Sequence, residues 1–430
     1  MNKNVFEQRK EENRQAFTIA FIYALSCKLF KSSLMQYIPL YDSVFMLFTA
    51  LSVIFMFGYI MRQYRNRDFS REVSFLVILF LSTLVWGMLF HGQMGYYSIR
   101  GVSMNTGPLM VVIFFFLKKY NISMRVLVKA IVIACSMYCI AYLLGTITFP
   151  NQIFGYDSNS DKQDSIIGSE QQRGVLRLFI LGSQIIPLTI FWVLTYYKNN
   201  KRYYFWLVPL FIFLIIQGAR TPLFMCFLVV LGYFVLSVKQ KILAVLLSIV
   251  IAFSIPLLYD KILESNSDDI ITNYVKITQQ QLENNESEDD IRLEMSKYMF
   301  SEFNGSNILQ SIFGNGFPDA KSNYSTKLMT LSSNRYYFLS DVGITQIYIY
   351  MGIVGLIIYT IVFYRGIKTK VPQKYEFGRL FLVYYALISF TNNAMVEFGM
   401  FTFGLALYSI FRANYEMQLE SKKNDRISCK

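Results

Sequence analysis

The stretch Asp341–Lys370 reads DVGITQIYIYMGIVGLIIYTIVFYRGIKTK. From Val342 to Tyr364 it carries no charged side chain, and Arg365, Lys368 and Lys370 follow directly. An apolar run of this length crosses the ~30 Å hydrocarbon core of a bilayer as a helix, and a basic cluster at one end marks the side that stays in the cytoplasm. The same unit recurs along the chain. Apolar windows run near 16–34, 42–61, 72–91, 104–117, 125–148, 174–197, 203–217, 221–238, 242–259, 341–364, 377–394 and 397–412. The expected fold is an all-α polytopic integral membrane protein of about twelve transmembrane helices, with one large external loop that contains short helices.

Composition agrees. Of 430 residues, 54% are hydrophobic, 17% aromatic and 16% charged, against ~25% charged in an ordinary soluble domain. A disordered chain, a secreted disulfide scaffold and a soluble globular enzyme are excluded. The five cysteines form no disulfide framework, and Cys135 and Cys139 read as small packing residues on one helix face. The first span follows a polar start and lacks a small-residue cleavage site, so it reads as an uncleaved anchor. The fourth and seventh windows are short for a bilayer, which predicts tilted, broken or partly re-entrant segments.

The net charge of +13 is an orientation signal rather than a mark of nucleic-acid binding. Segments on one side of the predicted membrane hold 27 of the 41 basic residues, which predicts that both termini lie in the cytoplasm. Two sizeable loops then face outward, 149–173 and 260–340. From Asp260 to Asp341 the chain carries 13 acidic and 7 basic residues, the hydrophilic material that holds mean hydropathy to +0.36. Periodicity predicts helices at Asp269–Leu282 and at Asp290–Phe303, the latter with Ile291, Met295, Tyr298 and Met299 on one face. They either cap the bundle or wall a cavity at its surface. No internal repeat or linker divides the chain, so 1–430 reads as a single membrane domain carrying this loop subdomain.

Familiar catalytic motifs are missing. There is no Gly-Lys-Ser/Thr phosphate loop and no Gly-x-Ser-x-Gly elbow. The single histidine, His91, excludes a multi-histidine metal site and reads as an interfacial polar residue. Outward-facing arginines remain, against the orientation bias: Arg173 and Arg177 one helical turn apart, Arg220 in the turn Gln-Gly-Ala-Arg-Thr-Pro, and Arg292 after an acidic run. Each could simply snorkel to lipid headgroups or pair with a neighbouring acid. Guanidinium groups also hold phosphate oxygens in a bidentate fork, which suits a lipid-linked pyrophosphate.

Asp290-Ile-Arg292, Phe313-Gly-Asn-Gly-Phe317, Ser340-Asp-Val-Gly343 and Met351-Gly-Ile-Val-Gly355, taken in order, resemble the large-loop signature of bacterial O-antigen polymerases and O-antigen ligases. Arg177 and Arg220 resemble the family's upstream arginines. The resemblance covers about 170–365, and the rest only by topology. It implies a protein of the bacterial cytoplasmic membrane that transfers a glycan from an undecaprenyl pyrophosphate carrier at the outer face of that membrane, with no metal and no cofactor. Arg177, Arg220 and Arg292 would contact the donor pyrophosphate, assisted by Arg173. An acceptor hydroxyl would attack the anomeric carbon with inversion. Ligases of the family usually carry His-Asn where this chain has Ser340-Asp341, which favours a polymerase and makes Asp341 the candidate base. A helix N-cap is the alternative for Asp341. Arg335, Tyr336 and Tyr337 are candidate substrate contacts, and Tyr324 and Phe338 could also stack on sugars. Implied partners are the polyprenyl-pyrophosphate-linked oligosaccharide, the bilayer, a flippase and a chain-length regulator. A ligase, or an oligosaccharide flippase or transporter, is the competing expectation. Against transport, the span centres lack acidic residues.

Overall fold

The computed structural model describes residues 3–27, 29, 40–66, 68–95, 97–98, 108–148, 180–198, 200–217, 220–237, 286–319, 321–392 and 399–428. Among them every regular element is helical. The first three helices are α1 (Lys3–Ser26), α2 (Leu40–Gln63) and α3 (Ser70–His91). A 3-10 turn at Pro108–Val112 leads into α4 (Ile113–Lys119), followed by α5 (Met124–Ile147) and α6 (Ile185–Tyr196). A second 3-10 turn, Lys201–Trp206, opens α7 (Leu207–Ile216), and α8 (Arg220–Ser237) follows. The expected loop region contributes α9 (Glu286–Ser301), α10 (Ile308–Phe313) and α11 (Asn323–Arg335), and α12 (Gly343–Lys368), α13 (Phe377–Ile388) and α14 (Met400–Ser428) follow.

Three helices are long and apolar enough to cross a membrane: α3, α5 and α12. Helices α6, α8 and α13 are apolar but shorter. The expected span at 242–259, the outer loop 149–173 and the expected helix at 269–282 lie outside the described residues. The fourth and seventh windows are broken, each passing from a 3-10 turn into a short α-helix. Pro108 opens the first break, since it has no N–H to give to a helix. The last helix runs far beyond its apolar window. Its polar extension is rich in good helix formers, and Arg412 pairs with Glu416 one turn on at 2.7 Å.

Aromatic side chains dominate the core. Helix α13 lies among α6, α8, α12 and α14, and its Phe381, Tyr384 and Tyr385 are fully buried. The Tyr384 hydroxyl donates to Gln184 Oε1 at 3.0 Å. Charged contacts gather at the basic end of the long helices. Buried Glu72 on α3 accepts from Arg71 and from Arg365 on α12, each at 3.3 Å. Lys118 Nζ meets Asp68 at 2.8 Å and Ser70 at 2.7 Å. A buried pair of this kind fixes register more than it adds stability.

The opposite end of α12 is organised by a break. At Gly352 the backbone leaves helical geometry, with φ 66° and ψ −165°. Just before the break, Ile349 and Tyr350 offer their carbonyls outward. They accept the N–H groups of Asn315 (2.8 Å) and Gly316 (3.0 Å) from the turn after α10. A Cβ on Gly352 would stand 2.2 Å from the Ile312 carbonyl, and one on Gly316 would stand 2.4 Å from Thr83 O on α3. The turn is therefore wedged between α12 and α3 at backbone contact. We expect Gly352→Ala to destabilise the fold by about 2 kcal/mol or more, from strain and overpacking combined. Gly58→Ala on α2, where a Cβ meets nothing within 4 Å, is expected to be neutral or slightly stabilising. Thermal unfolding of both variants in the same detergent checks the difference.

Candidate functional site

The site is built outward from the Gly-Asn-Gly turn. Asn315 is almost fully buried. Its Nδ2 donates to the Ile349 carbonyl at 3.0 Å and to Asn304 Oδ1 at 2.9 Å. A carbonyl can only accept, so Asn315 Oδ1 must face His91, 2.9 Å away. His91 is then the donor, and its proton sits on Nε2. The imidazole also stacks on Tyr324, with centroids 4.1 Å apart and planes 5° off parallel. Gln93, just beyond α3, donates to the Phe317 carbonyl at 3.1 Å and accepts the Asp319 N–H at 3.2 Å. Trp86 of α3 stacks on Phe313 at 4.6 Å. The segment around this turn is thus bound to α3 on both sides.

From this anchor α9 is held across the start of α12. Met295 and Met299 are buried, as the periodicity predicts. Ser296 Oγ meets Thr345 Oγ1 at 3.2 Å, and the Tyr348 hydroxyl donates to the Phe300 carbonyl at 3.3 Å. Arg292 lies one helical turn before Ser296, and Asp341 lies four residues before Thr345. Both candidate residues therefore flank one contact between two elements. Arg292 is exposed.

Asp341 is half-buried and closes a 3-10 turn, Leu339–Asp341. It is not the helix cap that the sequence offered as an alternative. Helix α12 begins at Gly343 behind Val342 with no side-chain cap, and the Ile344 N–H donates to the carbonyl of Ser389, the residue that caps the end of α13, at 3.0 Å. The end of the neighbouring helix thus takes over the capping. Among the described residues, the Asp341 carboxylate accepts a long bond from Ser340 Oγ at 3.4 Å.

A second cluster lies where α11 ends. The Arg335 guanidinium sits over the Tyr298 ring at 5.0 Å and the Tyr337 ring at 5.9 Å. The Tyr337 hydroxyl donates to Glu294 Oε1 at 2.8 Å. Burial first, and then the Glu294 carboxylate, holds that phenol above its ordinary value. Tyr337 is buried, so its ring braces Arg335 against α9, whereas Tyr336 is 67% exposed and Phe338 46%. Tyr324 is buried against His91 and presents no open face. Tyr336 ends α11 in the left-handed region, with φ 57° and ψ 29°. That conformation costs a non-glycine residue ~1–2 kcal/mol, and here it turns a large aromatic ring outward beside Arg335.

Arg173 and Arg177 lie outside the described residues. Arg220 is the first residue of α8, but its side chain also lies outside them. Arg292 and Asp341 belong to two elements that meet at the Ser296–Thr345 contact, and Arg335 joins Tyr337 in one cluster. Sequence reasoning missed Asn315 as the hub and His91 as its partner. The only signal was the pair of glycines around Asn315. No protein-family model matches the chain, and no curated protein is similar to it, so the family resemblance rests on the motifs themselves.

Asn315→Ala leaves His91 and Asn304 without their side-chain partner, while the Ile349 carbonyl loses one of its two donors and keeps the backbone N–H. The substitution is expected to lower stability by about 2–3 kcal/mol. Proteolysis should then cut within 304–337 first, while α5 and α14 persist. Uniform protection across the chain would contradict the anchoring role.

Proposed function

We propose that the protein is a polysaccharide polymerase of the bacterial cytoplasmic membrane. It transfers a glycan from an undecaprenyl-pyrophosphate carrier onto a second lipid-linked repeat unit at the outer face, with both termini in the cytoplasm. The observation that supports this reading is the Ser296–Thr345 contact, which joins the helix that carries Arg292 to the start of the helix that Asp341 precedes. An exposed guanidinium and a carboxylate free of capping duty meet the two needs of the reaction, charge stabilisation at the leaving group and proton removal at the acceptor.

In this mechanism Arg292, with Arg177, Arg220 and Arg173, neutralises the pyrophosphate. The bond between the anomeric carbon and the pyrophosphate oxygen breaks, and the negative charge that develops is held by guanidinium groups whatever their surroundings. The acceptor hydroxyl attacks the opposite face of the sugar, giving inversion, and its proton passes to Asp341. Tyr336 offers an exposed ring on which a sugar can stack, and Arg335 offers polar contacts beside it. The polymer formed would be O-antigen, capsule or exopolysaccharide.

Deletion of the gene is expected to leave carriers bearing a single repeat unit. Unattached polymer on the carrier would indicate a ligase instead, inward-facing precursor would indicate a flippase, and long chains in the deletion strain would sink the polymerase reading. Arg177→Ala, Arg220→Ala and Arg292→Ala are each expected to lower chain extension by about 10²-fold or more. Asp341→Asn is expected to lower it by about 10²–10⁴-fold. Tyr336→Asn, which suits the left-handed backbone, is expected to fold with unchanged stability and extend chains more slowly. Normal extension by that variant would remove Tyr336 from the site.

A further inference from the structure

The described part of the fourth apolar window is a 3-10 turn, Pro108–Val112, followed by about two turns of helix. Helix α1 packs on α5, whereas α2 packs on α3 and α4. The wall Met110–Leu117 therefore stands open between α1 and α2 as a cleft of about 440 Å³, within the ~300–1,000 Å³ typical of ligand sites. Its lips face hydrocarbon: Phe17 and Phe21 on α1, and Leu51, Ile54 and Phe55 on α2, are 42–75% exposed.

The lining is graded along its length. Glu11, Arg14, Gln15 and Tyr120 stand at one end, and Ile22, Met110 and Phe401 lie deeper. From Glu11 to Ile22, α1 rises about 16 Å at ~1.5 Å per residue, which is about half of the ~30 Å hydrocarbon core. The cleft is one leaflet deep. Arg14 lines its polar end and is held by Glu11 at 2.7 Å, and Lys119, next to the lining residue Tyr120, lies over the Phe55 ring at 5.2 Å. On the α1–α5 seam, Lys129 and Arg125 share the single carboxylate of Glu12, at 3.2 and 3.9 Å. One carboxylate against two cations leaves a positive mouth on an apolar slot. Arg14 retains N–H donors beyond those that Glu11 uses.

We propose that this cleft binds one anionic glycerophospholipid of the cytoplasmic leaflet. One acyl chain lies against Ile22 and Met110, and the phosphate sits between Arg14 and Lys119. A zwitterionic lipid would fill the slot equally well and gain less at the mouth, because each basic residue near the surface favours anionic headgroups. The proposal requires only that the chain lie in a membrane with this end at a leaflet surface, and it does not depend on polymerase activity.

Native mass spectrometry of the full chain tests it, released from nanodiscs of phosphatidylglycerol mixed with phosphatidylcholine. The expected result is one retained phospholipid, with phosphatidylglycerol enriched about fivefold or more over its share of the mixture. Arg14→Glu with Lys119→Glu should abolish the enrichment while the slot still holds lipid. Ile22→Trp, which fills the slot, should lower occupancy of either lipid. Equal retention of the two lipids by the unaltered protein, or enrichment that survives the double charge reversal, would overturn it. Should Ile22→Trp fail to fold, the charge reversal decides alone.

Discussion

The region from α9 to the start of α12 depends on a few backbone hydrogen bonds across a broken helix. An apolar helix that breaks at Gly352 exposes carbonyls where little water is available to satisfy them, and each orphan would cost several kcal/mol. Asn315 and Gly316 supply the missing N–H groups. Only a residue without a Cβ allows the backbones to meet this closely on both sides of the turn. Once the turn is seated, the Asn315 side chain extends the same network to His91 and Asn304, and the positions of α9, α10 and α11 follow from it.

The two ends of the long helices are secured by different chemistry. At the basic end, buried Glu72 joins α3 to α12 through the half-exposed Arg71 and Arg365. At the opposite end the same two helices are joined through neutral amides, an imidazole and stacked rings. That end keeps Arg292 and Arg335 for the surface, with Arg335 held by ring faces as well as by polar contacts. In the proposed reaction, a substrate carrying two phosphates meets these exposed guanidinium groups.

The long spans were legible because they depend on composition alone: α3, α5 and α12 need only uninterrupted apolar sequence. The helix at Asp290–Phe303 was legible because Met295 and Met299 repeat on one face, and the face is buried as expected. The Gly-Asn-Gly turn could be seen as a motif but not as an anchor, because its partners lie 34 residues ahead on α12 and 224 residues back on α3. Asp341 showed the opposite failure. Local sequence offered a cap, and a carbonyl at the end of α13 competed for the same N–H and won. Periodicity predicts faces and does not predict which distant element will meet them. The remaining arginines, Arg173, Arg177 and the side chain of Arg220, keep their sequence standing as proposals.

Reconstitution tests the account most directly. The purified protein, placed in vesicles with a synthetic undecaprenyl-pyrophosphate-linked repeat unit on the outer face, is followed for both product length and carrier release. The account predicts a ladder of products, one released polyprenyl pyrophosphate per bond formed, and loss of both signals together in Arg292→Ala. Movement of intact substrate across the bilayer, with neither ladder nor release, would contradict it.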